Sequence, residues 1–167
     1  TAVMVKSFTE KGFIALATEK GVVKRLALAE LATPKKGGLM VMKIAEGDQL
    51  VSAITTNGEQ ELMLGTAQGK AIRFQENDVR DMGKSASGVR GMELEGDDRV
   101  VAMIALSKKE DLLSGTKNGF TKKTKLAEYR ETKRGGKGIL NYKITDQVGP
   151  IVGLLNVGAS DEILLTT

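Results

Sequence analysis

The sequence predicts an all-β, propeller-like array of four-stranded blades, and three observations carry that prediction. The chain repeats itself with a period close to 50 residues, the mark of a repeat architecture. Each period holds four short runs of strand character, which is the strand count of a propeller blade. The apolar residues are mostly aliphatic, 41% hydrophobic with only 4% aromatic, so the core has to be built from Leu, Val, Ile, Met and Ala. One such unit cannot bury its own apolar faces, and stacked units would share a core.

The repeat can be followed residue by residue. Gly65-Thr66-Ala67-Gln68-Gly69 and Gly115-Thr116-Lys117-Asn118-Gly119 correspond, with an earlier copy at Ala17-Thr18-Glu19-Lys20-Gly21. After each comes a basic position (Lys24-Arg25, Ile72-Arg73, Lys122-Lys123) and then an acid (Glu30, Asp78, Glu128). A glycine recurs at Gly38, Gly88 and Gly138, and apolar pairs Leu50-Val51, Val100-Val101 and Ile151-Val152 close the units. These marks divide the chain into units 13–61, 62–111 and 112–162. Residues 1–12 read as the tail of one blade and 163–167 as the start of a further one, so a piece of a longer array is expected. Strand edges left unpaired at its ends would fray or self-associate.

Within a unit the elements follow in order. In the first, strands are expected near 13–18, 22–26, 39–45 and 50–55; in the second, at 62–66, 70–74, 89–94 and 100–106. A tight glycine turn such as Ala67-Gln68-Gly69 joins the first two, a hairpin signal. Thr18, Thr66 and Thr116 are read as strand-end or turn residues. A long loop separates the second and third runs: Ala27 to Gly38, Gln75 to Gly88 and Lys125 to Gly138. Short helical turns are expected at its start, near 27–32, 75–80 and 125–130. Glu95-Gly96-Asp97-Asp98 supplies the turn before the fourth run.

Composition removes several function classes. The chain has no cysteine and no histidine. Disulfides, thiolate zinc sites, a cysteine nucleophile and the usual general base are thereby excluded. No apolar run approaches the ~18 residues of a membrane span, and no signal peptide is visible, so the chain reads as soluble and cytoplasmic. The net charge is +4, which permits an anionic partner. The surplus lies in the third unit, with nine cations against five acids. Cations gather after the second strand and in the long loop. Acids gather in the turn before the fourth strand, so the pattern predicts a cationic stripe along one edge.

Thr132-Lys133-Arg134-Gly135-Gly136-Lys137-Gly138 concentrates this chemistry. Its glycines let the backbone approach a partner, and its cations suit phosphates, the arginine with a planar donor fork. Other candidate motifs dissolve on inspection. Gly83-Lys84-Ser85 lacks the leading glycine of a phosphate-binding P-loop, because Asp78 stands there. Asp97-Asp98 and Glu110-Asp111 read as surface turns with no partner base. Tyr129 holds the position of Leu31 and Val79, a packing position. No catalytic constellation is present in the sequence.

Three phrases then carry a resemblance that spans essentially the whole chain. They are Thr18-Glu19-Lys20-Gly21-Val22-Val23-Lys24-Arg25, residues 79–91 from Val79 to Gly91, and residues 128–138 from Glu128 to Gly138. With them the chain resembles the C-terminal domain of the A subunit of bacterial DNA gyrase, and the equivalent part of topoisomerase IV. The resemblance implies a β-pinwheel, a propeller whose neighbouring blades exchange strands. It implies double-stranded DNA wrapped around a basic perimeter, supporting ATP-dependent negative supercoiling by the holoenzyme. The partners implied are the rest of the A subunit, together with the ATPase B subunit, with no membrane. ATP and Mg would belong to the holoenzyme, with no cofactor in this domain, and the setting would be the bacterial nucleoid. Gyrase carries a box of the form Gln, basic, Arg-Gly-Gly, basic, Gly in its first blade. Residues 132–138 match it except for Thr132, and read as a later, degenerate copy. The box itself leaves gyrase against topoisomerase IV undecided, and the closeness of the later repeats favours gyrase.

The candidate DNA contacts are Lys24, Arg25, Lys35, Lys36, Arg73, Arg80, Lys84, Lys122, Lys123, Arg130, Lys133, Arg134 and Lys137, with the backbone of Gly135 and Gly136. A protein-binding repeat domain is the rival class. It would call for large apolar or aromatic anchors on the loops, which are scarce there. An inert scaffold would leave the periodic cations unexplained.

Overall fold

The computed structural model describes residues 3–5, 7–8, 11–33 and 36–164. The expected strands at 13–18, 22–26 and 50–55 form β1 (Phe13–Thr18), β2 (Val22–Ala27) and β3 (Leu50–Thr56). The second repeat supplies β4 (Glu61–Thr66), β5 (Lys70–Gln75), β6 (Val89–Arg90) and β7 (Val100–Ala105). The third supplies β8 (Asp111–Thr116), β9 (Thr121–Lys125), β10 (Ile139–Leu140) and β11 (Ile151–Val157). Helical structure among the described residues is confined to 3-10 turns at Leu28–Leu31, Glu76–Asp78 and Leu126–Glu128, where short turns were expected. No helix among them is long and apolar enough to cross a membrane.

The strands make three antiparallel sheets, ordered β3-β1-β2-β6, β10-β5-β4-β7 and β11-β8-β9. β6 comes from the second repeat but pairs with β2 of the first, Val22 opposite Arg90 and Val23 opposite Val89. β10 of the third repeat likewise pairs with β5 of the second. Each of these two sheets is therefore completed by the following repeat, the exchange that distinguishes a pinwheel from a propeller. This geometry corrects the expected third strands. Of 89–94 and its equivalent in the third repeat only two residues each reach a ladder. Residues 39–45 form no strand, because no partner edge lies beside them among the described residues. A run becomes a strand only where its amides and carbonyls find a partner.

The hairpins reuse one device. The hydroxyls of Thr18, Thr66 and Thr116 accept hydrogen bonds from the amides of Val22, Lys70 and Phe120 at 3.1–3.2 Å. Gly69 shows why glycine recurs at the turn: its φ is +88°, and an added Cβ would lie 2.0 Å from the Tyr142 carbonyl oxygen of the next repeat.

The core lies between the sheets. β4 is buried along nearly its whole length, and its side chains alternate between two neighbours, as a strand's do. Leu62 and Leu64 pack with Ala15, Ala17 and Val23 of the first repeat. Met63 points the other way, to Leu112, Leu126, Tyr129, Ile151 and Leu154 of the third. Tyr129 is a buried packing residue, as its repeat position predicts, and donates its hydroxyl to Asn141 Oδ1 at 2.5 Å. Asp111 departs from expectation. It opens β8, is buried, and receives Lys125 Nζ at 3.0 Å instead of lying in a surface turn. Within 163–167 only Ile163 and Leu164 are described, and the rest lie outside the described residues.

Candidate nucleic-acid interface

The loops after the second and third 3-10 turns run beside the second strand of the preceding repeat. Asp81 bridges Arg25 and Glu131 bridges Arg73, both in parallel sense. The amides of Met82 and Thr132 donate to the carbonyls of Arg25 and Arg73, each at 2.9 Å. The basic residues of β2 and β5 therefore face the next repeat, and this sorts the candidate cations into two sets.

The inner set joins repeats. Lys24 is fully buried, and its ammonium donates to the carbonyls of Val41, Lys84 and Ala86 at 2.7–2.9 Å. Burial pushes its pKa down. Arg25 is buried too. It donates to Asp81 Oδ1 at 2.9 Å and Asn77 Oδ1 at 2.7 Å, reaches the buried Glu76 at 3.4 Å, and stacks over Phe13 at 4.4 Å. Arg73 holds Glu61 through two hydrogen bonds and donates to the carbonyls of Leu126 and Tyr129 in the third repeat's turn. Arg134 donates to the carbonyls of Asp78 and Arg90, both at 2.8 Å. Lys24 and Arg25 are thus corrected from DNA contacts to inter-repeat joints, because their buried side chains have no open path to a phosphate. Arg73 and Arg134 also join repeats but stay part-exposed.

The outer set faces solvent. Arg80 and Arg130 occupy the same loop position in successive repeats, both exposed, with no side-chain partner among the described residues. Lys36 is exposed likewise, while Lys35 lies outside the described residues. Lys84 is half-buried, 3.7 Å from Glu30. Lys122 donates to the Asn141 carbonyl at 2.7 Å, and Lys123 lies 3.7 Å from Asp111. Lys133 is the most open of the cations in the 132–138 stretch, its side chain 87% exposed, with Nζ 2.7 Å from Asp78 Oδ1. Lys137 Nζ sits 2.7 Å from Glu95 Oε1, and Lys70 takes the other oxygen.

The glycine stretch is itself a docked segment. The Gly135 amide donates to the Gly91 carbonyl at 2.7 Å, and the Glu93 amide donates to the Gly136 carbonyl at 2.9 Å. Gly135 has φ +86°, a conformation that side chains resist, whereas a Cβ at Gly136 would meet only Ile72 Cδ1 at 3.7 Å. The separation of acids from cations expected along the edge is only partial. Asp78 and Glu95 of the second repeat reach the third repeat's lysines, because the loop packs onto the turns of its neighbour. The Lys137 and Lys70 ammoniums hold the Glu95 carboxyl down at about 2. Asp78 and Glu95 in turn raise the pKa of Lys133 and Lys137.

Sequence reasoning missed Arg90. It is exposed on β6, with no partner for its guanidinium among the described residues, beside Gly135 of the next repeat. The available signal was its place two residues after the repeat glycine.

Exchanged strands and a rim of loop cations together define a β-pinwheel with cations along one edge. A family model described as the DNA gyrase C-terminal domain, a beta-propeller, matches residues 12–57, 60–107 and 110–157. The chain therefore belongs to the DNA gyrase C-terminal domain family. It is 38% identical over 168 residues to the DNA gyrase A subunit of Klebsiella oxytoca, covering 100% of this chain and 19% of that protein. A crystal structure of the C-terminal domain of DNA topoisomerase IV superposes with a TM-score of 0.86 at 29% identity, over 93% of this chain and 49% of that one. A structure of the DNA gyrase A C-terminal domain gives 0.85 at 26% identity, over 92% and 52%.

Proposed function

We propose that this chain binds duplex DNA along its cationic rim and wraps it, as the C-terminal part of a gyrase A subunit. The carrying observation is the repeat of exposed loop arginines at Arg80 and Arg130, without a side-chain partner among the described residues, continued by Lys133 and Lys137. Cations set at successive blades along a curved rim suit the phosphates of a bent duplex. Such contacts position DNA and carry no base code, so unrelated duplexes should bind alike. Bendable sequences would gain, because wrapping costs deformation energy.

Cleavage chemistry, ATP and Mg would reside in the rest of the A subunit, together with the ATPase B subunit. The wrap would hand a DNA segment to that machinery for negative supercoiling, in the bacterial cytoplasm. The A subunit of topoisomerase IV is the second reading, since the chain superposes on that domain equally well. The relatives identical at 38% over the full chain are gyrase A subunits, which favours the first. Sealing nicked circular DNA in the presence of the chain tests wrapping. A shifted topoisomer distribution after protein removal is expected. An unshifted distribution at saturating binding would leave binding without wrap.

A further inference from the structure

Residues 40, 90 and 140 hold one position in successive repeats, two residues after Gly38, Gly88 and Gly138, and are Met, Arg and Leu. All three project to solvent. Met40 is 75% exposed and Leu140 is 66% exposed, the highest values for large hydrophobics outside the terminal segments. Arg90 is exposed with an unpartnered guanidinium among the described residues. The fold sets Arg90 and Leu140 into the rim, and Met40 holds the matching place in the first repeat. Leu140 stands opposite Lys70 on β5, whose ammonium shares Glu95 with Lys137. Arg90 gives its carbonyl to Arg134, and its side chain lies 3.9 Å from where a Gly135 Cβ would be. Arg90 thus sits beside the basic loop of the next repeat, and Leu140 beside a lysine of the preceding one.

Resting on the DNA-wrapping reading above, we propose that this position inserts into the DNA minor groove as it passes each blade. Met40 and Leu140 would press apolar side chains against base steps, and Arg90 would enter the narrowed groove. Methionine and leucine are wedge residues that partly unstack a step and bend the duplex, and arginine is the cation that a compressed minor groove attracts. An exposed apolar side chain beside phosphate-binding lysines gains burial only when DNA arrives. That gain appears as bending rather than as charge neutralisation. The position therefore adds a bend-setting and step-preferring contact to loops that otherwise hold only the backbone.

The test compares the 167-residue chain with its Met40→Ala/Leu140→Ala variant on a short duplex carrying fluorophores at both ends. Neither substitution touches the core or changes net charge. The variant should bind about tenfold more weakly, bend the duplex less, and lose preference for flexible pyrimidine–purine steps, with its salt slope unchanged. Val152→Ala/Leu155→Ala, which removes comparably exposed apolar side chains from β11, should leave all of these as in the parent. Leu140→Arg, copying Arg90, should keep the bend and steepen the salt slope by about one contact. A Met40→Ala/Leu140→Ala variant that binds and bends like the parent, or a β11 control that loses as much, overturns the proposal while DNA binding stands. A parent chain with no salt-dependent DNA binding overturns the wrapping reading as well.

Discussion

Arg25 shows how one side chain can be charged, basic in pattern and still unavailable to DNA. Its guanidinium is surrounded by Glu76, Asn77 and Asp81 of the next repeat and by the Phe13 ring. Glu76 is fully buried and is also held by the Thr56 hydroxyl and the Gly58 and Gln60 amides. Removing one partner of a buried pair strands the other charge, at a cost of about 3 kcal/mol or more. Arg25→Ala should therefore lower stability by about that amount in urea unfolding, whereas exposed Lys133→Ala should change it by less than about 1 kcal/mol. The glycines divide in the same way. Gly135→Ala forces a side chain into the left-handed region and should cost about 1 kcal/mol, while Gly136→Ala should leave stability nearly unchanged. If the Gly136 backbone approaches a phosphate, Gly136→Ala will weaken DNA binding in a chain of normal stability.

At the scale of elements, the turn before β7 and the loop before β10 form an electrostatic unit. Glu95 joins Lys137 and Lys70, and Asp78 joins Lys133. The folded carboxyl of Glu95 titrates near 2 against an ordinary 4.5. Its contribution to stability is therefore complete above the ordinary value and is lost as pH falls through that window, where the unfolded chain binds the extra proton. The melting temperature of Glu95→Gln should accordingly depend less on pH between those limits than that of the parent. These acids also compete with phosphate for the rim lysines. Glu95→Gln should raise DNA affinity roughly two- to fivefold, more than Asp97→Asn, which removes equal charge from an exposed turn position without such a pair. Equal gains would reduce the effect to net charge.

The difference between the two sets of cations also explains what the sequence made readable. The repeat, the hairpins, the 3-10 turns and the packing role of Tyr129 follow from local pattern, because strands, turns and their residues recur at fixed spacing. The third strands do not, because their partners belong to another repeat. The roles of Lys24, Arg73 and Arg134 were hidden for the same reason. Their acceptors lie up to 62 residues away, and composition shows a charge without showing which carbonyl it will meet.

The whole molecule is a set of sheets packed on a shared apolar core, with its inner cations bonded across repeats and its outer ones exposed. Salt-dependent affinity for duplex DNA separates these roles directly, because each neutralised phosphate releases condensed counterions and contributes about 0.9 to the slope of log K against log salt. Arg80, Arg130, Lys133 and Lys137 are exposed rim cations whose removal leaves the buried joints of Lys24 and Arg25 intact and costs only the exposed pairs of Lys133 with Asp78 and Lys137 with Glu95. The chain with all four replaced by alanine should keep its β spectrum and show a slope flatter by about three to four, equally on unrelated duplexes. A quadruple variant with the parent's affinity and slope would contradict the assignment of the rim to DNA.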